Sequence, residues 1–214
     1  MTSLFKNRMR SAISVIYHEL YCIACCLIGK AKVRLFFHKG RTNRLELGAD
    51  VKRSGFLLMD LNLGSPYPYD LTAGLPFPDA SIDFIYAEHV LEHFDHGQVT
   101  MLLSECHRVM KPGATLSICV PDVGIFLNGY AEPDGFDVEA FCHHPSLDFS
   151  ARVNYVNYMF YMDGFHRYMF DKENLLRSLN SAGFGDVALR EFDPDLDQQV
   201  RRHESIYASG RKRG

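Results

Sequence analysis

The chain has 214 residues, 47% hydrophobic and 23% charged, with a formal net charge of −3. Such a length and apolar content suit one compact, enzyme-sized domain, and the lack of repeats or low-complexity segments excludes arrays and disordered linkers. The near-neutral charge leaves no polyanion-binding footprint, so nucleic acid is disfavoured as a partner despite short basic stretches at 6–10 and 211–213.

The predicted elements begin with a helix. Ile13, Ile16, Leu20, Ile23 and Leu27 recur three and four apart and form one apolar stripe. Between 11 and 29 the only His, Asp, Glu, Lys or Arg residues are His18 and Glu19, and a basic leader containing Lys6, Arg8 and Arg10 precedes them. Three placements fit this pattern: a helix packed across the domain edge, a helix lying on a membrane surface through residues 1–29, or a targeting segment. A transmembrane span is disfavoured by Glu19 near its centre. The reading divides the chain into an N-terminal amphipathic extension over 1–40 and a single domain over 41–214. Six cysteines stand at 22, 25, 26, 106, 119 and 142, a scatter that suits a reducing, cytoplasmic setting. Cys22-x-x-Cys25-Cys26 has no second pair at zinc-finger spacing, and no metal site is expected.

Residues 44–47 read as a strand running into Gly48, and 56–60 as a second strand ending in Asp60. Residues 82–87 are dense enough in apolar groups for a strand covered on both faces. Leu102, Leu103, Cys106, Val109 and Met110 recur at helical spacing, and Lys111-Pro112-Gly113 is expected to end that helix. A buried strand over 115–120 follows. The stretch 123–165, which includes Cys142-His143-His144, is rich in Phe, Tyr, His and Met. It is either a lid over a substrate or an insert packed by its aromatics. Asp171 is the expected N-cap of a helix stapled by Phe170 and Leu175 and ended by Gly183, with strands at 187–192 and 205–208 after it.

Two motifs carry the most information. Leu75-Pro76-Phe77-Pro78-Asp79 continues through Ser81, Asp83 and Ile85 to Val90-Leu91-Glu92-His93, and Glu105-x-x-Arg108-Val109-x-Lys111-Pro112-Gly113 follows. Together they resemble the class I S-adenosylmethionine-dependent methyltransferases, and the resemblance extends over residues 44–208. It implies a Rossmann-like α/β fold with a mostly parallel sheet and an antiparallel last strand. It also implies S-adenosyl-L-methionine as cofactor, and the expected cofactor contacts are Glu46, Gly48, Ala49, Asp60, Leu61, Asp70, Leu71 and Glu88. Asp60 would accept from the ribose hydroxyls and Asp70 from the adenine amino group, with Leu71 against the ring; the plainer reading of Asp70 is a turn-ordering aspartate.

The glycine-rich loop departs from the family pattern at Asp50, where a glycine is usual. Gly48 alone matches, and Ala49 is small enough to stand in. Should a helix begin near Glu88, Glu88 and Glu92 would share one side of it and His89 and His93 another. His89 and His166 are the expected catalytic bases, and His93 is read as structural. The implied reaction is methylation of an oxygen or nitrogen of a small molecule such as a sugar or lipid-linked intermediate. The rival reading is a non-catalytic binding or scaffold protein on the same fold. A nicotinamide-dependent oxidoreductase would need a fuller glycine fingerprint.

Overall fold

The computed structural model describes residues 3–48, 53–132, 134, 136–137 and 150–214, with side chains from residue 13 onward. Seven strands, β1 (Arg44–Leu47), β2 (Phe56–Asp60), β3 (Tyr67–Pro68), β4 (Ile82–Glu88), β5 (Met110–Pro121), β6 (Phe184–Leu189) and β7 (Ser205–Lys212), form one sheet in the order β3-β2-β1-β4-β5-β7-β6. The first five pair in parallel, whereas β7 runs antiparallel to both β5 and β6. This is the mostly parallel sheet with an antiparallel last strand that the sequence predicts. Leu45, Leu47, Ile82, Ile85, Leu116, Ile118 and Val120 are almost wholly buried, which is why the central strands read as continuous apolar runs.

Among the described residues the α-helices are α1 (Ser3–Phe36), α2 (His96–Val109), α3 (Val123–Ala131), α4 (Val153–Tyr161) and α5 (Lys172–Ser181). Asp95 starts α2 with a capping box, accepting from the Gln98 backbone N–H while the Gln98 side chain accepts from that of Asp95. The inner face of α2 buries Val99, Leu102, Leu103, Cys106 and Val109. The helix stops earlier than Lys111-Pro112-Gly113 predicts, because Met110 is already extended (φ −70°, ψ 144°) and pairs with Ile82 of β4. No helix begins at Glu88 either: β4 runs through that residue, and a 3-10 turn at Leu91–His93 leads on to α2.

The two linked motifs form a structural clamp. Glu105 accepts from the Leu75 N–H at 2.8 Å and from Arg108 at 2.7 Å, while Arg108 also donates to the carbonyls of Leu75 and Phe77 and to Asp79. Lys111 reaches both carboxylate oxygens of Asp83 at 2.8 Å. Residues from one motif thus satisfy polar groups of the other, which fixes the entry to β4 against α2.

Near the C-terminus Asp171 caps α5 by accepting from the Asn174 N–H at 2.7 Å, and Phe170 and Leu175 are fully buried. Gly183, at φ +92°, turns the chain out of the helix. β6 starts at Phe184 rather than 187, because Phe184 and Gly185 pair with Lys212 and Arg211 of a β7 longer than predicted. It ends at Leu189, after which Arg190 folds onto Asp197.

Of the three placements open for α1, packing on the domain through its apolar stripe is not the one observed. Ile13, Ile16, Leu20, Ile23 and Leu27 are each more than half exposed, whereas Cys22, Cys25, Gly29 and Val33 form the buried face. The helix packs beside β3, so closely that a Cβ on Gly29 would collide with the Pro68 carbonyl oxygen. Small residues win this face because the approach is to backbone rather than to side chains. The five described cysteines are free thiols.

Candidate functional site

The strand order reverses direction between β1 and β4. In open α/β sheets the crevice outside the carboxyl ends of the strands at such a point collects ligands. A cavity of about 540 Å³ opens there. Gly48, Asp60, Leu61, Asp70 and Leu71 line one part of it, and His89, Glu92, His93 and His166 line another.

The first wall is set by backbone bonds. Gly48, at φ +64°, donates to the Met59 carbonyl at 2.8 Å, and any Cβ there would run into Val90. Glycine is therefore required both by conformation and by space. The Asp60 carbonyl accepts from the Tyr69 N–H at 2.9 Å, which ties the end of β2 to the turn bearing Asp70. Asp70 Oδ1 accepts from the Thr72 N–H at 2.9 Å and its hydroxyl at 2.7 Å, so the residue orders its turn as well as lining the cavity.

The second wall is richer in titrating groups. His89 is held at φ +52°, an uncommon conformation for a residue with a side chain, and its N–H donates to the Cys119 carbonyl at 2.9 Å. Its Nε2 lies 2.8 Å from Ser205 Oγ, and its Nδ1 is 3.8 Å from Glu92 Oε1. Burial, helped by Arg201, His166 and His93, holds the His89 imidazole well below its ordinary pKa and hence neutral. His166 is lowered too, by burial and by His93, against the bond to Met159. Glu92 is 1% exposed and its pKa is pushed up by burial to about 8. The Glu92 carbonyl accepts from the N–H groups of Arg167 and Tyr168, at 2.8 and 3.2 Å, which stitches the 3-10 turn to the segment carrying His166.

Glu46 and Glu88 are not in the cavity lining. Glu46 pairs with Arg53 at 3.1 Å, and Glu88 accepts from the backbone and side-chain amides of Gln198 at 2.9 and 3.1 Å. Ala49 and Asp50 lie outside the described residues, as do Cys142, His143 and His144. From the aromatic stretch Tyr158 and Met162 do reach the cavity, and Val200, Arg201 and Glu204 close it from the side of β7. Val200 and Arg201 carry no local signal, because only the chain's return through β7 brings them to β4, whereas Glu204 belongs to the segment Arg202-His203-Glu204-Ser205, which resembles an Arg-x-Glu-Ser element of the same family. Arg202 instead lies over the Phe192 ring, 5.1 Å from its centroid.

Comparison with known proteins bears on the fold and on the segment carrying the linked motifs. A family model described as a methyltransferase domain matches residues 66–118. A protein of Mycolicibacterium smegmatis named "Probable S-adenosylmethionine-dependent methyltransferase" is 39% identical over 62 residues, which are 28% of this chain and 23% of that protein. The chain thus matches less than a quarter of that relative's length. Among solved structures, the S-adenosylmethionine-dependent methyltransferase SibL in its apo form superposes with a TM-score of 0.51 at 13% identity, covering 86% of this chain and 55% of that one. Phosphoethanolamine N-methyltransferase 2 of Haemonchus contortus, in complex with phosphomonomethylethanolamine and S-adenosylhomocysteine, gives 0.50 at 13% identity, covering 85% and 51%. These two likenesses are likenesses of fold. The matched domain over residues 66–118 coincides with the linked motifs, and through these the chain is similar to the class I S-adenosylmethionine-dependent methyltransferases.

Proposed function

We propose that the protein is a methyltransferase acting on an oxygen or nitrogen of a small molecule, a sugar or lipid-linked intermediate, with S-adenosylmethionine as methyl donor. The observation that carries this reading is the single cavity at the switch point, which has Gly48, Asp60 and Asp70 on one wall and His89 and His166 on the other. The donor, when bound, supplies a methyl group made electrophilic by a sulfonium. Asp60 accepts from its ribose hydroxyls, Asp70 from its adenine amine, and Leu61 and Leu71 cover its apolar face. Gly48 admits the ligand close to the backbone.

Alignment of acceptor and methyl supplies much of the rate, and a base is needed only where the acceptor must lose a proton. One of the pair His89 and His166 serves that purpose, each being held neutral and therefore able to accept a proton.

In this reading the N-terminal helix rests on an anionic membrane surface. Its exposed apolar stripe is flanked by Lys6, Arg8 and Arg10 before it and Lys30, Lys32 and Arg34 after it. The 24-residue segment Ile13–Phe36 is only 17% buried. Because α1 packs beside β3, and the turn after β3 carries Asp70, docking brings the cavity close to the lipid. The test is transfer of labelled methyl to a panel of sugar, amine and lipid acceptors presented on anionic vesicles. Label in an acceptor supports the reading, and none across the panel from a protein that binds the donor contradicts it.

A further inference from the structure

Within the second wall, Glu92, His93 and His166 each place one donor atom within 4.8 Å of those of the other two. The carboxylate of Glu92 is buried to 1% exposure, and neither of its oxygens has a hydrogen-bond partner on another described residue. An ionised group in that position is costly unless something compensates it. The nearest histidine nitrogens, His89 Nδ1 and His93 Nε2, stand at 3.8 and 3.9 Å, too far for hydrogen bonds and near enough to share an ion.

The imidazole tautomers point the same way. His93 Nδ1 is 2.9 Å from the Phe165 carbonyl oxygen, and His166 Nδ1 is 2.7 Å from that of Met159. A carbonyl can only accept, so in both rings Nδ1 carries the proton and the neutral ring keeps its lone pair on Nε2. An outer hydrogen bond that fixes tautomer and ring orientation is what metal-ligating histidines usually possess.

We propose that Glu92, His93 and His166 form a binding site for a divalent transition ion of the zinc class, with its open coordination position facing the cavity. Two imidazoles and a carboxylate are the nitrogen and oxygen donors such an ion takes, and three protein ligands leave the fourth place for water or substrate. Tetrahedral zinc at about 2.0–2.1 Å from its ligands sets them roughly 3.3 Å apart, so the donors, now up to 4.8 Å apart, must close by up to about 1.5 Å. His93, with 42% of its side chain exposed, has room for that movement. The cysteines of α1, the sequence's more obvious metal-like cluster, play no part.

The role of the ion rests on the methyltransferase reading, whereas its binding does not. With His166 among the ligands His89 is left as the base, and an acceptor hydroxyl at the open position would lose its proton to it more readily, leaving the oxygen's electron pair for attack on the methyl carbon. The carbon–sulfur bond then breaks with its electrons passing to sulfur, and S-adenosylhomocysteine leaves.

The test uses the full chain after chelator treatment and without S-adenosylmethionine, so that its outcome is independent of cofactor binding. Zn²⁺ is titrated by calorimetry, and Co²⁺ is followed by its visible absorption as a report on geometry. One ion per chain is expected, with a tetrahedral Co²⁺ spectrum. His93→Ala and Glu92→Gln should weaken binding beyond the about 10–100-fold that loss of an outer partner costs. Cys22→Ala, which removes a thiol 3.6 Å from His18 Nε2, should leave it unchanged. No stoichiometric binding, or equal affinity in His93→Ala, would overturn the proposal. If Glu92→Gln fails to fold, His93→Ala decides the matter, since that side chain is substantially exposed.

Discussion

At the scale of single residues, the cavity walls differ in what holds them. Asp70 and Gly48 are fixed by backbone geometry, whereas His89 sits in a left-handed conformation braced by Cys119 and Ser205. For an acceptor that must lose a proton, replacing the true base by alanine should lower turnover by about 10²–10⁴-fold and leave cofactor affinity nearly intact. Steady-state kinetics of His89→Ala and His166→Ala would identify it, and full activity in both would mean that the reaction relies on alignment alone or on a base in the aromatic stretch 123–165. Asp197 makes a separate prediction. Burial raises its carboxyl pKa, but two Arg190 bonds at 2.6 Å, the Asp193 N–H and the Tyr86 hydroxyl outweigh that and leave it below the ordinary value. A depressed folded pKa means stability that is present above the unfolded value, about 3.9, and is lost as pH falls through the folded one. Denaturation midpoints should therefore show a shallower acid dependence below about pH 4 in Asp197→Asn than in the wild type. That Gly48 and Asp60 line the cavity could be read from the sequence because each stands at the end of a recognisable strand, whereas Asp70 rested on the resemblance alone, β3 being too short to leave a pattern. The isolation of Glu92 could not, since it depends on which side chains the fold brings near.

At the scale of elements, the clamp between residues 75–79 and α2 accounts for the pairing of the two motifs. Arg108 bridges both and is one-third exposed, so Arg108→Ala should lower the unfolding free energy by about 1–3 kcal/mol in denaturant titrations. A near-zero change would mean the clamp contributes little. Helix α1 was legible as a helix, yet its facing was not. Apolar periodicity marked the outward stripe, and the packing face is set instead by the smallness of Cys22, Cys25 and Gly29 against β3. Gly29→Val should therefore destabilise the helix docking by about 1–3 kcal/mol, because the new methyls meet backbone that cannot retreat. The double change Ile16→Ser with Leu20→Ser alters only exposed positions. It should preserve the unfolding midpoint and reduce co-sedimentation with anionic vesicles, whereas undiminished sedimentation would contradict docking through this stripe.

At the scale of the whole molecule, strand order places the site. Five parallel strands splay from a reversal between β1 and β4, and every loop that enters the cavity from the first wall leaves the carboxyl end of a strand on the β1 side of it. That arrangement was legible because central strands and their terminal Gly or Asp leave local patterns. The contributions of Val200 and Arg201 were not, because their approach follows from the antiparallel return of β7. The central claim is that this cavity holds S-adenosylmethionine, with Asp60 as a ligand. Calorimetric titration of wild type and Asp60→Ala tests it most directly. The account predicts saturable binding by the wild type, weakened in the variant by about 1.5–3 kcal/mol, the value of a hydrogen bond to a charged group. No binding by the wild type, or equal affinity in the two proteins, would contradict it.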